Sequence, residues 1–382
     1  MSKTTLRIGF VGAGNVNFGR WHVPWDHASR LERLGGIQVI GIVDPDTEKA
    51  EERLQTRLTS QHGHLYKDCR VMADLSNLIA MNPDAVFIGV PPMARGSLEP
   101  KKDLELQCVR AGIHVFMEKP MSVLPLDDFR FYAAAVQKAV VESKVVLSVG
   151  YMFRYHAAVI KMKELMREHG GKVMAFNARY YFAYTEMTNK YWYNADLSGG
   201  PIVEQATHFC DLARHIVGDV DLSTVHTLML DADDRSGAGN IAHVPLGAEE
   251  DIPLRKRIPR VTMSHWRFED GGIGTLMHSI ALPGNRYEAN IDVQMDGLKL
   301  SLLEPYRDTC ILRVRSMEKG KRDEDKDFTF EGSDSYGTEL KTFIEAVRSN
   351  DQSLIKSSYE DAVKTYELTW AIRLSGERNL RT

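Results

Sequence analysis

Cysteine is scarce, with four residues in 382 (Cys69, Cys108, Cys210 and Cys310), all far apart in the chain. That spacing excludes a disulfide framework or a cysteine-built zinc site and suits a reducing compartment. No run approaches the roughly 18 consecutive apolar residues of a membrane span. Charge of one sign is missing too, since 48 Lys+Arg against 52 Asp+Glu leave a formal net charge of −4. Such a chain has no electrostatic grip on nucleic acid or an anionic membrane surface. Internal repeats are absent. What remains, 43% hydrophobic and 26% charged residues, is the balance of a globular protein. The length predicts two domains, and together these features point to a cytoplasmic protein with a small-molecule partner, no nucleic acid and no membrane.

The first 150 residues alternate short apolar runs with amphipathic stretches, the signature of β-α units in a parallel sheet. Strands are predicted at Leu6 to Val11, Ile37 to Val43, Ala85 to Val90, His114 to Met117 and Val145 to Val149. Helices are predicted between them, for example over Thr47 to Leu58 and Leu126 to Val141. The boundary falls at 150/151. Beyond it a helix at Ala157 to His169 precedes strand-like runs at Val173 to Phe182, Arg260 to Phe268, Gly272 to Ala281, Tyr287 to Met295, Leu298 to Leu303 and Cys310 to Val314. This is an α+β domain, residues 151–382, on a large and mostly antiparallel open sheet. Residues 231–259 lack any sustained period and are expected as an insertion. The basic run Arg255, Lys256, Arg257 and Arg260 is expected on a solvated face, and Glu318 to Asp327 as a charged hairpin tip. Helices at Thr338 to Val347 and Tyr359 to Leu374 close the chain.

The first strand ends in Gly12-Ala13-Gly14-Asn15-Val16-Asn17-Phe18-Gly19. In a dinucleotide site the first glycine permits a tight turn and the second lets backbone N–H groups approach the pyrophosphate. The third glycine is displaced: Asn17 stands where it belongs, so either Asn17 is accommodated or two residues are inserted before Gly19. At the end of the second strand Asp44 could accept hydrogen bonds from ribose hydroxyls and repel a 2′-phosphate, which favours NAD over NADP. Asp44 lies further from Gly14 than the usual ~20 residues, which an extended first helix containing Pro24 would explain. Lys49 and Arg53 downstream leave NADP open. The alternative for Asp44 is a turn residue of Asp44-Pro45-Asp46.

The fifth strand runs into Glu118-Lys119-Pro120. Residues just past the carboxyl ends of parallel strands face the ligand crevice, so Lys119 is an acid/base candidate. A surface lysine paired with Glu118 is the alternative. Later, Ser198-Gly199-Gly200-Pro201 suits a helix start. At about 100° per residue Glu204, His208, Asp211 and His215 then share one stripe of a single helix reaching Ile216. A solvated face, a metal site and a catalytic acid/base pair all fit that stripe, although no thiolate or metalloenzyme signature accompanies it.

The glycine turn, the Glu118-Lys119-Pro120 motif and the Gly-Gly helix with Glu204 and His208 together resemble the Gfo/Idh/MocA oxidoreductases, those related to glucose-fructose oxidoreductase and inositol dehydrogenase. The resemblance extends to Val149-Gly150-Tyr151-Met152-Phe153-Arg154-Tyr155, like that family's junction between domains, and to the closing helices. It implies a Rossmann domain binding NAD(P) and a second domain that closes the site and makes a homodimer or homotetramer. It implies hydride transfer between nicotinamide and a carbinol carbon of a sugar, cyclitol or sugar derivative, with Lys119 and His208 as the acid/base residues. Glu204 replaces the family's aspartate and lengthens its reach. Cofactor contacts are expected at Gly12, Gly14, Asn15, Val16, Asp44, Pro91, Glu118 and Lys119, with no metal. The histidine common after Pro91-Pro92 is missing. Aromatic residues at Tyr180, Tyr181, Phe182, Tyr184, Tyr191, Trp192 and Tyr193 offer faces on which a sugar ring could stack. Two other functions stay open within the same fold, an NAD-dependent glycoside hydrolase and a catalytically silent regulator.

Overall fold

The computed structural model describes residues 5–19, 26–184, 189–243, 249–284, 286–317 and 324–380. The chain divides into two units, Met1–Met152 with Ser335–Val363, and Phe153–Asp334 with Lys364–Thr382. The expected division at 150/151 places all of residues 335–363 in the second body, whereas this segment groups with the first.

In the first unit six strands lie in one parallel sheet: β1 (Leu6–Val11), β2 (Ile37–Val43), β3 (Arg70–Met72), β4 (Ala85–Ile88), β5 (His114–Met117) and β6 (Leu147–Val149). Their order is β3-β2-β1-β4-β5-β6. Both faces are covered, so the strands read as continuous apolar runs. Phe10, Phe87 and Phe116 are fully buried on β1, β4 and β5. Phe343 meets Phe87 and Phe116 edge-on at centroid distances of 5.4 and 5.5 Å. It comes from the helix Ser335–Ser349, whose Leu340, Phe343, Ile344 and Val347 are all buried at helical spacing. The chain beyond that helix secures the sheet edge. Gln352 Oε1 accepts from Leu147 N–H at 2.9 Å, and the Ser357 carbonyl accepts from Val149 N–H at 3.0 Å.

Among the described residues the extended first helix is not found. Asn15–Phe18 makes one turn and a new helix covers His27–Leu34; Pro24 lies outside the described residues. Arg57, on the helix Thr47–Leu58, ties the two together. Its guanidinium reaches Asp26 and Glu32 at 3.1 Å each and donates to the Phe18 carbonyl at 2.8 Å.

The second unit holds the other sheet: β7 (Val173–Ala183), β8 (Val220–Leu230), β9 (Val261–Phe268), β10 (Ile273–Leu282), β11 (Glu288–Met295), β12 (Leu298–Leu303), β13 (Thr309–Ser316) and β14 (Lys326–Glu331). The order is β14-β13-β12-β11-β7-β10-β9-β8, antiparallel except where β7 and β10 run side by side. Alternation sets the faces. Gly274, Leu276, His278 and Ile280 of β10 are buried, while the residues between them are partly or fully exposed. β8 and β14 were not anticipated. Lys326 and Asp327, expected at a hairpin tip, pair instead with β13, and residues 318–323 lie outside the described set.

The 231–259 segment carries only a short 3₁₀ turn at Leu254–Lys256, with residues 244–248 undescribed. A buried ion pair anchors it, Arg260 donating to Glu249 at 2.8 and 2.5 Å. Arg260 is therefore an interior anchor and not part of a solvated face. Arg257 joins the same carboxylate at 3.3 Å, and Lys256 forms an exposed pair with Asp196 at 3.0 Å. Among the described residues no helix is long and apolar enough to cross a membrane.

Candidate active site

The glycine turn follows β1 at its carboxyl end. Gly12 sits at φ +95°, and a Cβ there would lie 2.9 Å from the Gly89 carbonyl oxygen, so only glycine fits. Around Gly14 the nearest atom to an added Cβ is 3.9 Å away, which leaves its surface open. Of the two readings of Asn17, accommodation is the observed one. Its amide is buried and donates to the carbonyls of Val11 and Gly12 at 3.0 and 2.7 Å.

Asp44 reaches the same turn. One carboxylate oxygen accepts from Ala13 N–H at 2.7 Å and the other from Asp46 N–H at 2.9 Å. The cation Lys49 stands 3.9 Å away, and Arg53 donates to Asn15 Oδ1 at 3.3 Å. Asn15 and Gly14 form the start of the one-turn helix, and Val16 is exposed. A crowded glycine, an open glycine and a carboxylate at one strand edge fit a dinucleotide. Pro91 caps a 3₁₀ turn after β4, on the same edge of the sheet.

Lys119 follows β5 and joins Pro120 through a cis peptide bond. Its neighbour Glu118 lies 2.9 Å from Nε2 of His27. Burial alone would raise the Glu118 carboxyl, but the hydrogen bond and charge of His27, with the charges of Lys119 and Arg95, outweigh it and hold the group below its ordinary value. Glu118 is thus kept as a carboxylate beside Lys119.

In the second unit Gly199 and Gly200 both have positive φ, and Pro201 opens the helix as expected. The single helix is not found. Pro201–Glu204 and Thr207–Ile216 are separate, broken at Gln205 and Ala206. At the break the Gln205 side chain meets the buried His278 of β10, Oε1 to Nε2 3.1 Å. The four-residue stripe therefore does not run through as one face. Asp211 is buried in a two-pronged pair with Arg154 (2.8 and 2.6 Å) and accepts from Thr365 at 3.1 Å. The His215 carbonyl accepts from Lys163 at 2.5 Å. Both residues are engaged in packing. Glu204 and His208 remain.

Glu204 is half-buried and accepts the Trp192 indole N–H at 2.7 Å. His208 is buried edge-on to Phe153, ring centroids 5.7 Å apart. Around them stands a cluster of rings. Tyr306 packs on Phe153 at 4.8 Å and stacks on Tyr180 at 5.6 Å, and Tyr287 stacks on Phe182 at 4.9 Å. Burial, with Tyr306, Tyr287 and the negative charge of Glu204, keeps the Tyr180 phenol protonated. Burial and Glu204 act the same way on Tyr191. The cluster therefore offers O–H groups and flat apolar faces beside one carboxylate.

The anticipated aromatic stretch divides. Tyr180, Phe182 and Trp192 join this cluster, while Tyr184 packs on Tyr193, and burial with the negative charge of Glu249 raises its phenol. Tyr181 points to the other face of the sheet, under the Arg179 guanidinium. Tyr287 and Tyr306 were missed in the sequence, as were His27 and Arg95. Each is a single residue without a motif, brought in by the start of the His27–Leu34 helix or by loop packing. Among the described residues no group of three or more His, Cys, Asp or Glu is arranged to hold a metal ion.

Both units resemble known proteins. Residues 6–151 match the oxidoreductase family with an NAD-binding Rossmann fold, and residues 154–298 match an oxidoreductase C-terminal domain. An uncharacterized protein of Schizosaccharomyces pombe is 37% identical over 96% of this chain and 90% of its own length. The chain belongs to the Gfo/Idh/MocA oxidoreductase family. Within the family, the myo-inositol 2-dehydrogenase of Thermotoga maritima is 25% identical over 97% of this chain and 96% of its own. A levoglucosan dehydrogenase solved with NADH and levoglucosan shares the fold at TM-score 0.73 and 17% identity, covering 98% of this chain and 97% of that one. This Gfo/Idh/MocA member is an NAD(P)-dependent oxidoreductase.

Proposed function

We propose that this oxidoreductase interconverts a secondary hydroxyl and a ketone on a sugar or cyclitol. The observation carrying this reading is that Lys119 and the glycine turn both lie beyond carboxyl ends of strands in one parallel sheet, the ligand edge of such a fold. Oxidation removes a proton from the hydroxyl oxygen and a hydride from its carbon. The turn from Gly12 to Val16, Asp44, Pro91 and the Glu118-Lys119 turn would hold NAD, which would supply the hydride acceptor. Lys119 and His208 are the proposed acid/base groups for the hydroxyl proton, and Glu204 is proposed to orient the ring hydroxyls. The rings around Glu204 supply an apolar wall for a sugar face. The inositol and levoglucosan dehydrogenases among its relatives support this substrate class.

A panel of myo-inositol, levoglucosan, common hexoses and their sugar acids, with NAD and NADP, tests the reading through absorbance of reduced nicotinamide. Lys119→Ala and His208→Ala are each expected to lower kcat by a factor of ~10² to 10⁴. Release of an aglycone from glycosides without net reduction would favour the hydrolase. Nucleotide binding with full indifference to Lys119→Ala would favour the regulator.

We also propose a cytoplasmic homodimer or homotetramer formed through the outward face of the second sheet. Leu228, Met263 and Ile273 are 62, 52 and 47% exposed on that face, and symmetric pairing of identical faces is the commonest way to cover such a surface. Light scattering at micromolar concentration is expected to show a multiple of 43.2 kDa. A monomer would refute it.

A further inference from the structure

Arg95 stands in the loop after β4, and its side chain is fully buried. Its guanidinium donates to the main-chain carbonyls of Glu118 and Pro120, the latter at 2.5 Å, and more weakly to Met121 at 3.4 Å. These carbonyls bracket Lys119 in sequence. The two segments are laced together further. Ser122 Oγ donates to the Gly96 carbonyl at 2.9 Å, and Gly96, at φ +73°, has no room for a Cβ against Met121. On the other side of Arg95, Glu105 lies 3.9 Å away and is equally buried. Burial pushes the Glu105 carboxyl up, against the opposing charge of Arg95. A carboxylate at that distance gives the guanidinium no direct hydrogen bond, so its charge is spent on the turn that carries Lys119.

Resting on the reading of Lys119 as an acid/base group, we infer that Arg95 is a positioning residue for it. A buried guanidinium costs several kcal/mol unless hydrogen bonds satisfy it. A packing role alone would be filled as well by an apolar side chain. Nη2 of Arg95 bridges the Glu118 and Pro120 carbonyls and so fixes the backbone on both sides of Lys119, and displacement of a reacting group by about 1 Å can cost a factor of about 10² in rate. The charge of Arg95 also acts on Glu118, the carboxylate next to Lys119.

The test is a double-mutant cycle with the panel substrate of highest turnover. Arg95→Met is expected to lower kcat about 10- to 100-fold with KM changed far less, and to shift the limb of the pH profile that disappears in Lys119→Ala. In the Lys119→Ala background it should cost nothing further, because Arg95 acts through Lys119. A second readout needs no substrate: the acetylation rate of Lys119 by an N-hydroxysuccinimide ester, measured by peptide mass spectrometry against exposed Lys138. Arg95→Met should change the Lys119 rate severalfold and leave Lys138 alone. If Arg95→Met does not fold, Arg95→Lys carries the same tests, keeping the charge and losing the fork. Full additivity in the cycle with an unchanged Lys119 labelling rate overturns the inference and leaves the proposed function standing. Full turnover in Lys119→Ala overturns the function itself, and this inference with it.

Discussion

Asn17 and Gly89 face each other beneath the glycine turn, and each permits the other. A Cβ on Gly89 would lie 2.7 Å from Asn17 Oδ1, while the Asn17 amide nitrogen bonds the Val11 and Gly12 carbonyls. The space that a third glycine would have given is thus supplied from the end of β4. Gly89→Ala should cost about 1–3 kcal/mol of stability by overpacking and weaken NAD binding with it. Adding Asn17→Gly should return more than half of that loss, although Asn17→Gly alone is destabilising. Urea denaturation and calorimetry with NAD measure both, and a double variant no better than Gly89→Ala would show that the two positions are independent.

Asp44 has two duties in this arrangement. It holds the turn through Ala13 N–H and, in the proposed site, accepts from the ribose. Asp44→Ser with Pro45→Arg should shift preference toward NADP, because a repelling carboxylate gives way to a cation. Affinity for both cofactors should fall, since the turn loses its brace. Unchanged preference in paired titrations would take Asp44 out of the cofactor site.

The parallel sheet was legible because strands buried on both faces, such as Ile37–Val43, are nearly continuous apolar runs. β3 has three residues, too few for any pattern. β8 mixes Asp221, Ser223 and Thr224 with exposed Leu228, so its alternation is faint. At the site, Gly199-Gly200-Pro201 and Lys119 were readable because turns and strand ends are local. The break at Gln205 was not, since His278, its partner, lies 73 residues away. Asp211 looked like a member of a polar stripe for the same reason: Arg154, 57 residues back, decides its role.

That pairing gives a contrast between neighbours on one helix. Asp211→Ala leaves the Arg154 guanidinium buried without its anion, and breaking such a pair costs about 3–5 kcal/mol. His208→Ala should be far milder in stability and far more severe in turnover. Denaturation midpoints and kcat, measured on both variants, decide the matter. Asp211→Ala losing activity at full stability would make Asp211 part of the chemistry.

Acid should weaken the second unit through its buried histidines. Burial pushes the His278 imidazole down to about 3 and that of His156 to about 4, against 6.5 for the free side chain. The folded chain therefore keeps both neutral where the unfolded chain takes up protons. Their contribution to stability is complete above about pH 6.5 and is lost as pH falls toward the folded values, with a slope approaching ~1.4 kcal/mol per pH unit for each group. His156 adds a local reason, because its Nδ1 accepts from Ala158 N–H at the start of a helix and cannot do so once protonated. The carboxylates held low by partners, such as Glu118 and Glu249, lose their own contribution at lower pH and do so equally in a variant that leaves them untouched. The clean measurement is thus a difference. His278→Gln removes the titrating group and keeps a side chain able to face Gln205. Urea midpoints at pH 7.5, 6.5, 5.5 and 4.5 should show the advantage of the parent protein shrinking steadily below pH 6.5. Parallel curves for the two proteins would mean that His278 takes its proton inside the folded chain, and that the contact holding the break between Glu204 and His208 survives acid.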